Sequence, residues 1–108
     1  MNTIKKTITV REHQLTVSHH ATERLSLRMG NIDLADAITR GKTLNLQNVN
    51  QYPWLRKKLI RLLSDSNIKL IVNPYHNMQV VLDMITKTVV TIEYLDARGT
   101  GYEYNYAG

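Results

Sequence analysis

A chain of 108 residues is long enough for one compact core and too short for two ordinary domains; at 43% hydrophobic and 21% charged it has a globular composition. Fourteen Lys and Arg against nine Asp and Glu leave a net charge of +5, which favours polyanions such as nucleic acid, and no apolar run is long enough to span a bilayer. The absence of cysteine excludes disulfide staples and thiolate metal or redox sites, and the four histidines form no H-x-x-x-H pair, so neither a metal nor a cofactor is expected.

The opening Met-Asn-Thr-Ile-Lys-Lys carries no apolar stretch and no small-residue cleavage site, so a cytoplasmic protein is expected. Thr3 to Val10 alternates β-branched and polar residues, and Gln14 to Val17 alternates again after Arg11-Glu12-His13, which predicts an N-terminal hairpin. A helix follows from about His20 to Met29, with Ala21, Leu25 and Met29 turned to the core at i,i+4 spacing and Gly30 as its stop. Asn31 is placed to cap a second helix, Ile32 to Arg40, in which Asp33 and Asp36 sit early and Arg40 late, matching the helix dipole, before Gly41 ends it.

Lys42 to Gln51 is polar, with Thr43 to Leu46 suited to a short edge strand. Pro53 fits the first position of a helix over Trp54 to Leu63, with Leu55, Leu59, Leu62 and Leu63 on an apolar side and Arg56, Lys57, Lys58 and Arg61 on a basic one. Ile68 to Val72, Met78 to Ile85 and Lys87 to Leu95 read as strands separated by turns, and an antiparallel meander is the simplest arrangement. In the last of these, strict alternation groups Val90, Ile92 and Tyr94 on one face and Val89, Thr91 and Glu93 on the other. The fold class is α+β: a hairpin and helices packed on a meander sheet, one domain over residues 1–98, then a Gly/Tyr-rich tail over 99–108. In that tail Gly99 and Gly101 predict a flexible exit, while the alternating Tyr102, Tyr104 and Tyr106 suit an added edge strand or stacking on bases.

The chemistry concentrates in Ser18-His19-His20-Ala21-Thr22-Glu23-Arg24-Leu25-Ser26-Leu27-Arg28. On a helix, His20, Arg24 and Arg28 form a stripe about 12 Å long. Like charges at i,i+4 repel, so the stripe calls for an anionic ligand or an acidic protein neighbour. An imidazole beside guanidiniums is equipped for metal-free RNA cleavage, in which a base deprotonates the ribose 2′-hydroxyl, cations stabilise the charged phosphoryl oxygens and an acid protonates the leaving 5′-oxygen.

The run Ser18-x-His20-Ala21-x-Glu23-Arg24-x-x-x-Arg28-Met29-Gly30, the Gly41-Lys42 pair and the strand Val89-Val90-Thr91-Ile92-Glu93-Tyr94 resemble a family of small bacterial and phage domains with the pattern H-A-x-x-R. That family is grouped with the barnase/EndoU/colicin/RelE-like ribonucleases. The resemblance covers roughly residues 18 to 95 and implies an antiparallel sheet packed against N-terminal helices, with metal-independent, toxin-like endoribonuclease activity. It makes His20 the catalytic imidazole, Arg24 and Arg28 phosphate ligands, Lys42 a further cation and Thr91 a hydroxyl that positions the phosphate. Two departures stand out: the basic helix segment Tyr52 to Ser66 is an apparent insertion, and the tyrosine tail lies outside the pattern.

Each candidate also has a purely structural role open to it. His20 suits a helix cap, Arg24 and Arg28 suit ion pairs with Asp33 or Asp36, Lys42 suits the dipole of the helix before it, and Thr91 suits a strand for its propensity alone. Arg56, Lys57, Lys58 and Arg61 fit either a solvated face or a patch for RNA phosphates. The partners expected are RNA, as tRNA or mRNA, and a protein inhibitor or antitoxin, with no membrane. The alternative is a non-catalytic RNA-binding or protein-binding accessory module with the same fold.

Overall fold

The computed structural model describes residues 6–29, 32–64 and 67–95, apart from the side chains of Arg28 and Met29. The expectations placed on Thr3 to Lys5, Gly30, Asn31, the Met29 side chain and the tyrosine tail lie outside the described residues.

Strands β1 (Lys6–Val10) and β2 (His13–Val17) form the hairpin, in which Ile8 stands opposite Leu15 and Arg11 takes a left-handed conformation at the turn (φ 56°). Ser18 then starts helix α1 (His19–Arg24): its Oγ accepts the N–H of Ala21 at 3.0 Å, satisfying one of the unpaired donors of the first turn. The helix continues into a π-helical turn, Leu25–Met29. Helix α2 (Leu34–Thr39) starts later than the sequence suggests because Asp33 is its cap, accepting the N–H of Asp36 at 3.1 Å. Gly41 lets the chain turn tightly into strand β3 (Lys42–Leu44): a Cβ there would lie 2.6 Å from Ile71 Cγ2 and 3.1 Å from each of two carbonyl oxygens.

Two short 3-10 turns, Val49–Gln51 and Pro53–Leu55, lead into helix α3 (Arg56–Leu63). Strands β4 (Ile68–Asn73), β5 (Met78–Asp83) and β6 (Thr88–Tyr94) complete the molecule. They form the expected meander within a mixed six-stranded sheet of order β1-β2-β6-β5-β4-β3. The sheet is wider than a simple meander because β3 extends one edge and β2 joins β6 in parallel, through Thr16 opposite Thr88 and Val17 opposite Val89.

Both faces of the sheet are covered. On one, α1 and α2 lay Ala21, Leu25, Leu34, Ala37 and Ile38 over Ile71, Met78, Val80, Leu82 and Ile92. On the other, Val49, Leu55 and Leu59 pack on Leu44, Leu70, Val72 and Val81. Double coverage explains why β5 reads Met-Gln-Val-Val-Leu, almost without polar alternation. Strand β6 departs from strict alternation: Val81 opposes Thr91 while Leu82 opposes Val89, so Val90 is the extra residue of a bulge. Val89 and Ile92 therefore share the α1/α2 core, Val90 is exposed, and Thr91 and Glu93 turn to the α3 side, which corrects the pairing that period two predicts.

Candidate functional site

Helix α1 continues the course of β2 alongside β6 after β2 has left the sheet. Two ties hold it there. The Ser18 N–H donates to Val89 O at 3.1 Å and its hydroxyl to Val90 O at 2.9 Å; one helix length later, Arg24 Nη1 donates to Glu93 Oε1 at 2.7 Å. Glu93 shares its sheet face with Thr91, whose hydroxyl donates to Glu93 Oε2 at 3.5 Å. Directly opposite Glu93 on β5 is Gln79, buried with its amide satisfied at both ends: Oε1 accepts from Lys58 Nζ at 2.6 Å and Nε2 donates to Tyr94 O at 2.8 Å. A polar network thus joins α1, β6, β5 and α3 where the apolar cover of the α3 face ends.

Its electrostatics are predominantly cationic. Arg24 and Glu93 each keep 28% of their side-chain surface exposed, so the pair is open to competition from a ligand. Burial pushes the Lys58 ammonium below the usual lysine range, with Arg61 and Arg24 adding to the effect and Glu93 opposing it. Arg24, Lys58 and Arg61 therefore act on a space that also holds the Glu93 carboxylate. His20 is exposed and lies one turn before Arg24 on the same helical face, between the two ties to β6. The neighbouring His19 instead meets Glu23 at 3.4 Å in solvent.

Of the residues singled out in the sequence, Arg24 and Thr91 converge on one carboxylate, and His20 lies one turn before Arg24 on α1. Lys58 belongs to the network and not to the solvated face of its helix, whereas Arg56, Lys57 and Arg61 are exposed on α3. The Arg28 backbone lies in the π-helical turn, and its side chain is outside the described part. Lys42 does not join the site. It stands on β3 at the opposite edge, separated from β6 by β4 and β5, a span of about 14 Å at ordinary strand spacing. Its place after a helix-ending glycine carried no information about strand order. Arg24 is not paired with α2 either: Asp33 caps that helix and Asp36 holds Arg40 at 2.9 Å.

Sequence reasoning did not assign Glu93 or Gln79 to the site. The signal for Gln79 was present, as a lone amide inside the apolar run Met78 to Leu82; that for Glu93 was weaker, because its partner is 69 positions away. Asp83, an acid ten positions before Glu93, holds a turn by accepting the N–H groups of Ile85 and Thr86. Among the described residues no group of three or more His, Asp or Glu is placed to hold a metal, and no helix is long and apolar enough to cross a membrane.

A concavity lies elsewhere, on the α1/α2 face. It is a cleft of about 540 Å³ between the hairpin tip and the end of α2, with an apolar floor that includes Leu15, Ile38 and Ile71 and a rim that includes Arg11, His13 and Lys69. None of the sequence-predicted site residues lines it. Comparison of the chain with protein-family models, curated proteins and solved structures finds no match.

Proposed function

We propose that this protein is a metal-independent, toxin-like endoribonuclease of the barnase/EndoU/colicin/RelE-like kind, acting on cytoplasmic RNA. The observation that carries the reading is the meeting of Arg24, Thr91 and Lys58 around Glu93 with His20 on the adjacent helical turn. RNA phosphate competes with Glu93 for Arg24, and Lys58 provides a second cation for the non-bridging oxygens. The released Glu93 carboxylate accepts the proton of the 2′-hydroxyl as its oxygen bonds to phosphorus. The bond from phosphorus to the 5′-oxygen breaks, and the His20 imidazolium gives that oxygen its proton. The products are a 2′,3′-cyclic phosphate and a free 5′-hydroxyl, and the Thr91 hydroxyl holds the phosphate in place.

The test is incubation of the wild type, His20→Ala and Glu93→Gln with total bacterial RNA in EDTA, followed by mapping of new ends. Cyclic-phosphate ends from the wild type, reduced at least a hundredfold in either variant, are the expected result. A second reading, a non-catalytic RNA-binding or protein-binding accessory module, draws on a different observation: the Arg24–Glu93 pair is closed at 2.7 Å while Arg56, Lys57 and Arg61 remain exposed. Salt-sensitive RNA retention by all three proteins without any new ends would replace the enzyme with that module, and no interaction with RNA would direct attention to a protein inhibitor or other protein partner.

A further inference from the structure

Tryptophan is a residue whose ring is ordinarily withdrawn from water, yet Trp54 is 47% exposed. The exposed ring is not loosely held. Its Nε1–H donates to Leu95 O at 2.9 Å, and Tyr52, itself packed on the α3-side core, meets it edge-on with centroids 5.6 Å apart and planes at 89°. With its one polar atom already bonded inside the protein, what the indole offers to solvent is an oriented apolar surface.

Its position is as informative as its orientation. Leu95 O, which holds Trp54, follows Tyr94 O, which holds Gln79 and through it Lys58; Glu93, with Arg24, comes just before. At strand geometry the step from Glu93 to Leu95 is about 7 Å, comparable to the reach from a phosphate to the base of its own nucleotide. Exposed Arg56 and Lys57 follow Trp54 in the chain after the buried Leu55. A fixed aromatic surface beside a cationic cluster is the combination that holds unpaired bases, since every base has a face to stack while its phosphate needs a cation.

We propose that Trp54 is a base-stacking subsite, and that the nucleic acid taken by this face is single-stranded, with one unpaired base on the indole and the adjoining phosphate at Arg24 and Lys58. The inference rests on the reading that this face binds RNA, but not on cleavage. A duplex keeps its bases stacked on one another and has none to place on Trp54.

Trp54 is the only tryptophan in the chain, so its emission reports this subsite alone. The full-length protein is titrated at low salt with a 2′-O-methyl uridine hexamer, which 2′-hydroxyl attack cannot cut, with an abasic strand of equal length, and with a duplex. The hexamer is expected to quench Trp54 to saturation. The abasic strand and the duplex are expected to bind at least fivefold more weakly, without that quenching. By anisotropy of labelled strands, Trp54→Leu should lose at least fivefold in hexamer affinity and nothing for the abasic strand, while Trp54→Phe, which keeps an aromatic face, restores most of the loss. Equal affinity for hexamer and abasic strand, or saturation without a change in emission, overturns the proposal. Absence of binding by every strand overturns it together with the RNA reading. Quenching with no cleavage of RNA in EDTA leaves the subsite standing and removes only the nuclease; His20-dependent cleavage without quenching does the reverse.

Discussion

The two faces of the sheet are built from the same strands yet end differently. On the α1/α2 face the apolar side chains of β5 and β6 continue up to the helices, and the concavity left at the hairpin tip has an apolar floor with charges only at its rim. On the α3 face the apolar core runs through Val81 and is met again at Leu95, and between them β6 presents Thr91 and Glu93. Uncovered strand positions need polar side chains, and those at the edge of a dry core need partners; Arg24, Lys58 and Gln79 supply them. The cleft is thus a gap in packing, whereas the polar cluster is a network whose members hold one another. The cleft offers volume, whereas the polar side chains Arg24, Lys58 and Glu93 are gathered in the cluster.

Cavities made in the two cores separate these regions most strongly. Leu59→Ala and Ile38→Ala are each expected to cost about 2–5 kcal/mol in urea unfolding, since both side chains are buried. Only Leu59→Ala, which loosens α3, should also alter Trp54 emission and weaken hexamer binding by the folded protein; equal effects of the two on Trp54 would mean that the faces are not independent. A smaller loss, about 1–3 kcal/mol, is expected for Gly41→Ala, whose new methyl meets Ile71 and two carbonyl oxygens beside the cleft, with Trp54 emission unchanged.

The smallest effect concerns pH. Burial lowers the proton affinity of Lys58 in the folded state, so between its folded pKa and the ordinary lysine value of 10.5 the unfolded chain binds more protons at this position. Stability contributed by Lys58 therefore rises as pH increases toward that value and levels off above it. Urea midpoints of the wild type measured against Lys58→Met across the alkaline range should show the wild type gaining relative to the variant; parallel curves would place Lys58 in solvent and detach it from the network.

Much of the local structure was legible in the residues. The Ser18 cap, the Pro53 entry into a helix, the burial of Ala21 and Leu25 and the β4-β5-β6 meander all follow from short-range rules. The site was legible in part: His20 and Arg24 lie on one helical face as their spacing requires, but the acid that answers Arg24 was not assigned to the site. Thr91 was associated with the site through the resemblance, and its sheet face was mispaired because a bulge at Val90 breaks period two. Nothing in the local residue pattern marks that extra residue: both neighbours are β-branched and comfortable in a strand.

By itself, the sequence determined where most helices and strands fall and, outside β6, which strand and helix positions are apolar, because capping, period and side-chain shape act within a few residues. Tertiary structure alone decided that β2 joins β6 in parallel, that Lys42 stands at the far edge, and that Arg24, Glu93, Gln79 and Lys58 meet. Those outcomes depend on strand order and on one bulge. They are settled by how two apolar faces are buried together over the whole chain, a long-range condition that no local pattern encodes.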